Sequence, residues 1–435
     1  MVNGLQSLTQ WESYFNNPTK GRLGLLNAIQ HIGALAGYPF APYLSDGIGR
    51  KPTVFLGALI IVIATVVQTT SQSVGMFIGA RFLIGFGLSW AANAGPVLVA
   101  ELSYPKYRAS LTSAYNSLWY SGAIVAAWTT FGSFKIAGTW SWFIPSALQA
   151  LPSFLQVLLI WFVPESPRFL MSKGKEKEAV KVLVYYHADG DELDYEFQEI
   201  KSVIEFDCTA NVGWGSFFAS PGNRERWSGN GLVSYYLNKV LSQMGITDPT
   251  DQLLINGILN IWNLAWALIA STMVERFGRR LLFLTSTGLM ALFLTLQTAC
   301  FARFRILGDY PAAHAALTFI SLFYAAYHIG FSPLIVTYTL EILPYNIRAK
   351  GYNIFNFTVS VALMFNQYVN PIALDVLSWK YYIVYCVWIS CECVIFSSSK
   401  PKTAPSKRQR RYSTVVDAAT AQAGVAQDLG HREEK

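Results

Sequence analysis

Charged side chains are scarce in this sequence. Only 14% of the 435 residues are Asp, Glu, Lys or Arg, whereas a soluble domain carries about 25%. With a mean hydropathy of +0.31, a chain so poor in charge cannot solvate a free surface, which excludes an ordinary water-soluble globule. Cysteine is rare as well. The five residues Cys208, Cys300, Cys386, Cys391 and Cys393 have no metal-ligand or redox spacing, and the last two lie in an apolar run where packing is the expected role. The opening stretch MVNGLQSLTQWESYFNN lacks the basic and apolar regions of a cleavable signal. Insertion is therefore expected either to begin at an internal span or to depend on a piece preceding Met1. No triad, metal cluster or phosphate loop stands out, so neither an enzyme nor a cofactor is expected.

What is abundant is apolar sequence, 52% of residues with 15% aromatic. A bilayer-spanning helix needs about 20 such residues. Runs of that kind fall near 23–45, 53–72, 75–100, 111–131, 140–163, 252–274, 281–303, 314–340 and 352–373. A weaker run covers 380–397, and a short, ambiguous one opens at Trp227 directly after Arg224, Glu225 and Arg226. The net charge of +7 would suit nucleic acid if it formed a patch. It is instead divided among short connectors: DGIGRK (46–51), YPKYRAS (104–110), the interval 165–226, ERFGRR (275–280), PYNIRAK (344–350) and the tail from Lys400. QSVG, TDPTDQ and LGDYP alternate with these and lack the bias. Alternate connectors are thus expected in the cytoplasm with the C-terminus, FKIAG and FARFR weakening the pattern without reversing it. KGKEKEAVKVLVYYH reads as an amphipathic surface helix. The tail, with its KRQRR cluster, has the composition of a disordered segment.

The sequence also contains a duplication. Asp46-Gly-Ile-Gly-Arg50-Lys51 is followed two spans later by Glu101-Leu-Ser-Tyr-Pro-Lys-Tyr-Arg108-Ala, and Glu275-Arg-Phe-Gly-Arg279-Arg280 by Glu341-Ile-Leu-Pro-Tyr-Asn-Ile-Arg348-Ala. Two related halves about a midplane site is a common transporter plan. Gly49 and Gly278 suit tight turns at a membrane face. Arg108 and Arg348 are expected to meet Asp46 or Glu275 in an ionic network that closes an inner gate and must break when it opens. With Glu165 and Arg168, these acids and bases form the predicted gating set.

At these residues the chain resembles the sugar-porter family of the major facilitator superfamily, fungal hexose and lactose permease-like branch. DGIGRK, ARFLIGFG (80–87), the EL..P...RA segment, PESPRFL (164–170), ERFGRR, EILPYNIRAKG and SGNGLVSYYL carry the resemblance, which spans roughly residues 3–395. It implies an all-α integral membrane bundle of two pseudo-symmetric six-helix halves, with about 10–11 spans here, carrying a hexose or disaccharide, often with a proton. It divides the chain into an N-terminal membrane half (1–163), a cytoplasmic helical linker (164–226), a C-terminal membrane half (227–397) and a tail (398–435). Sugar contacts carry over to Asn116, Asn230, Tyr235, Tyr236, Asn263, Asn366 and Gln367, because amides and aromatic faces suit hydroxyls and C–H patches. A monomer in the plasma membrane is implied, with no nucleic-acid partner. Arg81, a cation inside an apolar span, is a functional candidate by default and in proton-coupled relatives pairs with an acid of the first helix. His31 and His328 are expected to be packed or hydrogen-bonded.

Departures accompany the matches. The family's Gly-Tyr-Asp helix would precede NGLQSL, yet Met1 stands almost against that segment, so Arg81 is expected without its acidic partner. The WSWFIP segment has Phe143 where an Arg is usual, and Val336 takes the place of a stacking Trp. Glu225 and Arg226 occupy the place of sugar-binding glutamines, and SCECVIFSSSKPKT lacks the usual acidic ending. These departures predict impaired transport for the chain as written. The same fold could also serve a transport-dead sugar sensor.

Overall fold

The computed structural model describes Tyr14 and residues 20–104, 108–136, 138–187, 197–198, 201, 240–241, 245, 248–277, 279–342 and 345–398. These residues are helical, without a strand among them. Contacts group Met1–Cys393 into one compact unit and Val394–Lys435 into another.

The first predicted span is two helices, α1 (Lys20–Gly37) and α2 (Ala41–Ile48). Pro39 has no N–H and pushes the preceding residue out of helical geometry, so the axis breaks at Tyr38–Phe40. The chain is carried across by Phe40 N–H to Gly37 O (3.2 Å) and Ala41 N–H to Tyr38 O (3.2 Å). Gly49 then takes φ +111°, a left-handed conformation that favours glycine, and α3 (Arg50–Thr69) starts at once. Ser73 caps α4 (Val74–Leu102), its Oγ accepting from Met76 N–H at 3.2 Å. The fourth predicted span is split at Leu118 into α5 (Arg108–Ser117) and α6 (Trp119–Ser133), and the next into α7 (Trp140–Leu148) and α8 (Ala150–Leu159). Two short helices follow, α9 (Pro167–Ser172) and α10 (Glu176–His187). They bury Leu170, Met171, Ala179 and Leu183 against each other, while Lys175 and Glu178 stay exposed. The second half comprises α11 (Pro249–Phe277), α12 (Arg279–Leu307), α13 (Tyr310–Ile342), α14 (Tyr345–Leu377) and α15 (Tyr381–Ser398).

Among the described residues, six helical stretches are long and apolar enough to cross a membrane: Arg50–Thr69, Val74–Leu102, Trp140–Phe162, Pro249–Met273, Leu281–Leu307 and Tyr310–Ser332. The other four predicted spans are helical but broken (α1–α2, α5–α6), rich in Asn, Ser and Thr (α14), or short in apolar length (α15, Tyr381–Val394). The run from Trp227 lies outside the described residues.

Lipid tails are as apolar as leucine, so helices in a bilayer associate through close packing of small residues. α1 and α4 meet backbone to backbone. A Cβ on Gly33 would land on the carbonyl of Phe82, and one on Gly85 on the carbonyl of Gln30. α3 meets α4 in the same way, where Gly57 and Gly87 each face the other's carbonyl at 2.7 Å from the Cβ position. Across the two halves, α14 packs along α1 and α2, and α11 packs on α5 and α6. These two seams place polar side chains from both halves side by side.

Candidate functional site

The predicted gate is partly assembled. Arg50 is 4% exposed; its Nη2 lies 3.3 Å from Asp46 Oδ1, its Nε 3.3 Å from Glu101 Oε2, and its Nη1 donates to Ser45 O at 3.0 Å. The Phe169 ring sits 5.2 Å from the guanidinium carbon. Glu101 is itself buried and accepts from Ser166 Oγ at 2.5 Å. Removing Arg50 would strand a buried carboxylate, a change that costs about 3–5 kcal/mol.

Glu165 plays a part the sequence did not suggest. Its Oε1 accepts from the Arg50 N–H at 3.1 Å and the Ser166 N–H at 2.9 Å, and its Oε2 from the Lys51 N–H at 3.1 Å. The carboxylate therefore caps the N-terminus of α3, where free N–H groups and the helix dipole favour negative charge. Burial pushes its pKa above the ordinary glutamate value, and the three main-chain N–H groups pull it back down. A Cβ at residue 49 would strike this carboxylate, a second reason for glycine there. Lys51 Nζ donates to Trp161 O at 2.9 Å, and Arg168 is buried in α9.

Asp46, expected to meet Arg108 or Arg348, forms its described ion pair with Arg50, four residues on across the turn at Gly49. Arg108 opens α5, Glu275 lies near the end of α11, Arg279 and Arg280 open α12, Glu341 lies near the end of α13 and Arg348 in the first turn of α14. The side chains of these six lie outside the described residues.

In the middle of the bundle, Arg81 of α4 is 4% exposed, and its Nη2 donates to Gln30 Oε1 of α1 at 2.9 Å. Sequence reasoning missed Gln30, although an amide beside a histidine in an apolar run was there to be read. The next residue, His31, faces the other half: its Nε2 lies 3.0 Å from the side-chain nitrogen of Gln367 on α14. An amide nitrogen only donates, so His31 accepts at Nε2. On the opposite seam, Asn116 Nδ2 donates to Ser332 O at 2.7 Å and Ser117 Oγ to Ala267 O at 3.4 Å. One turn along each helix, Tyr120 meets His328 edge to face, with centroids 4.7 Å apart.

His328 is fully buried, and neither ring nitrogen has a hydrogen-bond partner among the described residues; nor does Oδ1 of buried Asn263. Unfilled capacity of this kind inside a membrane bundle suits a hydroxylated ligand. Asn366 and Gln367, taken together from the sequence, part company, since adjacent helical residues point about 100° apart. Gln367 turns to α1, while Asn366 turns to α15, where its Oδ1 lies 3.4 Å from the Tyr385 hydroxyl and Tyr381 donates to Asn370 Oδ1 at 2.8 Å. Asn230, Tyr235 and Tyr236 lie outside the described residues.

Comparison with known proteins identifies the family and the fold. The family model described as "Sugar (and other) transporter" matches residues 2–404. The MFS-type transporter oryC of Aspergillus oryzae is 27% identical over 408 residues, 88% of this chain and 75% of that protein. The high-affinity glucose transporter of Kluyveromyces lactis is 26% identical over 286 residues, 62% of this chain, and the match spans only about half of that relative's length (52%). In fold, the proton:xylose symporter XylE bound to 6-bromo-6-deoxy-D-glucose superposes with a TM-score of 0.79 at 21% identity, covering 92% of this chain and 94% of that one. The chain is a multi-pass membrane protein and belongs to the Sugar (and other) transporter family of the major facilitator superfamily.

Proposed function

We propose that the protein carries a hexose or a disaccharide such as lactose across the plasma membrane, as a monomer, by alternating access and together with a proton. The observation that carries this reading is the convergence of polar side chains from both halves in the middle of an apolar bundle. Arg81, Gln30, His31 and Gln367 meet along one seam, and Asn116, Asn263, Tyr120 and His328 lie along the other. Buried polar groups in a bilayer are costly and mark substrate or ion paths. A sugar hydroxyl can donate to His328 and Asn263 where no described protein group does.

Arg81 is the proposed coupling residue. One side of its guanidinium is held by a neutral amide, and its Nε has no hydrogen-bond partner among the described residues. An anionic group docking there would be held as a carboxylate and released on protonation. Substrate contacts are assigned to Asn116, Asn230, Tyr235, Tyr236, Asn263, Asn366 and Gln367. The gate comprises Asp46, Arg50, Lys51, Glu101, Glu165 and Arg168 in the first half, with Arg108, Glu275, Arg279, Arg280, Glu341 and Arg348 completing it. The C-terminus is placed in the cytoplasm, after a linker (164–226) that joins membrane halves 1–163 and 227–397. The relatives named for glucose and xylose transport favour a sugar as the solute.

The test is uptake of radiolabelled glucose, xylose and lactose into proteoliposomes, with and without an inward proton gradient. Saturable but weak uptake of one sugar, driven above equilibrium by the gradient and equilibrative in Arg81→Gln, is expected. Saturable uptake indifferent to the gradient would remove the proton from this reading, and no uptake of any sugar would remove the carrier.

A further inference from the structure

The seam between α1 and α14 is laid out as a ladder. His31 meets Gln367 at 3.0 Å, and Tyr38 meets Ser360 Oγ, which donates to the phenolic oxygen at 3.4 Å. Each partner has moved seven residues, forward along α1 and backward along α14, so the helices run antiparallel with a rung about every 10 Å. Seven residues on from Tyr38, Ser45 of α2 is buried, as is Asn353 seven back from Ser360, and neither Ser45 Oγ nor Asn353 Oδ1 has a hydrogen-bond partner among the described residues. Close to that level, Lys350 of α14 acts electrostatically on Asp46. Toward the other end, the Tyr368 ring lies 3.4 Å from where a Cβ on Gly24 would stand. The His31–Gln367 rung is therefore an interior one, with contacts continuing on both sides.

Two further features distinguish this level. α1 is locked to α4 here, with Gly33 against the Phe82 carbonyl and Gly85 against the Gln30 carbonyl, so His31 is fixed in its own half. Just beyond it, the axis breaks at Tyr38–Phe40, and α2, which carries Asp46, is a separate helix. We propose that His31–Gln367 is a pivot that stays made while the halves rock, and that the break lets α2 swing the gate open below it. The proposal deepens the transport reading and rests on it. For a rotation of about 15°, a size known for rigid-body switches, a point 14 residues away, roughly 21 Å along a helix, moves about 5 Å. A point at the pivot moves less than 1 Å. The packing of α2 on α14 must then open, and the rung at His31 need not.

The experiment uses the full chain in proteoliposomes, with the five native cysteines changed to serine. Nitroxide labels are placed at Ile48→Cys and Leu281→Cys, both exposed positions. Gln367→His makes a two-histidine clamp with His31, and Ser45→His with Asn353→His makes a second one at the gate; Zn2+ is the bridging probe. Zn2+ on the first clamp is expected to leave both label-distance populations in place. On the second it is expected to collapse the distances to one population and cut flux at least tenfold.

Collapse by the first clamp would show a latch where a pivot is proposed. Free motion with the second clamp loaded would show that the gate does not open at α2. Failure of Gln367→His to bind Zn2+ would show that the two side chains do not meet, which also overturns the pivot. The label distances need no substrate, so two populations without sugar flux would count against the proposed solute and not against the pivot. A single population with no flux in the unbridged protein would end the alternating-access reading and the pivot with it.

Discussion

Gly85→Ala is the substitution that most directly probes how Arg81 is held. The added Cβ would fall on the carbonyl oxygen of Gln30, 2.8 Å from its carbon and 3.0 Å from the Ala34 nitrogen. Carbon–oxygen contacts settle at about 3.3–3.6 Å, so α1 and α4 would have to part by about 1 Å or more. Main-chain atoms cannot step aside as a flexible side chain can. Overpacking of this kind costs about 1–3 kcal/mol. The same movement stretches the 2.9 Å bond between Arg81 and Gln30 past hydrogen-bonding range, and a bond to a charged group is worth about 1.5–3 kcal/mol. Together the loss is about 3–5 kcal/mol, or roughly 5–10 °C in melting temperature. Gly79, six residues earlier on α4, has nothing within 4 Å of its Cβ position. Gly79→Ala should therefore be neutral or raise stability by up to about 1 kcal/mol. The assay is a thermal melt of detergent-solubilised protein at one fixed scan rate. Equal melting temperatures for the two variants would refute the backbone contact between α1 and α4.

Other consequences are equally direct. Glu165→Gln keeps the shape of the cap on α3 but removes its charge, and charge-assisted bonds are about twice as strong as neutral ones. It should loosen the gate by about 1–2 kcal/mol, seen as several-fold faster labelling of a buried Ser45→Cys by an impermeant maleimide from the cytoplasmic side; an unchanged rate would count against the cap. Asn116→Leu should cost about 1–2 kcal/mol, while Ser332→Ala should cost under about 0.5 kcal/mol, since the acceptor at 2.7 Å is the main-chain oxygen. Equal losses in a melting assay would place the contact on the wrong atom. Tyr381 and Tyr385 both donate to Oδ1 of fully buried Asn370, at 2.8 and 3.2 Å. Either Phe variant alone should therefore cost about 1 kcal/mol and the pair about 3 kcal/mol, because only the double change leaves that oxygen unpaired. Strict additivity in a double-mutant cycle would exclude the shared acceptor.

The spans were readable because the bilayer imposes one requirement, about 20 apolar residues between polar ends, and composition alone reports it. Gly49 was readable for a similar reason: a basic pair following glycine at a membrane face leaves few backbone options, and φ is +111° there. The partners were not readable. Arg50 follows Asp46 by one helical turn, yet a helix break and a turn separate them, so spacing alone did not identify the pair that forms. Glu165 looked like one more acid for a guanidinium, and it is the main chain of α3 that it binds. Asn366 and Gln367 looked like one amide pair, but the helical rotation between neighbours sends them to different helices. In each case the missing information is which helix stands opposite, and that is set by close approach at glycines far along the chain.

α1 shows how those glycines shape function. Gly33 and Gly37 turn toward α4, where Cβ atoms would meet the carbonyls of Phe82 and Phe86 and where Trp90 Nε1 donates to Gly37 O at 3.2 Å. Gly24, His31 and Tyr38, spaced by seven, turn toward α14. The first face is interlocked backbone, and by the reasoning for Gly85 its disturbance costs about 3–5 kcal/mol. The second is a row of separate polar contacts, each worth about 0.6–2 kcal/mol between membrane helices. When the two halves rock, the rungs toward α14 on either side of His31–Gln367 can break and re-form one at a time, while the contact with α4 does not part. A single helix therefore belongs rigidly to one half and reversibly to the other, and His31 marks the point on the reversible face that need not open.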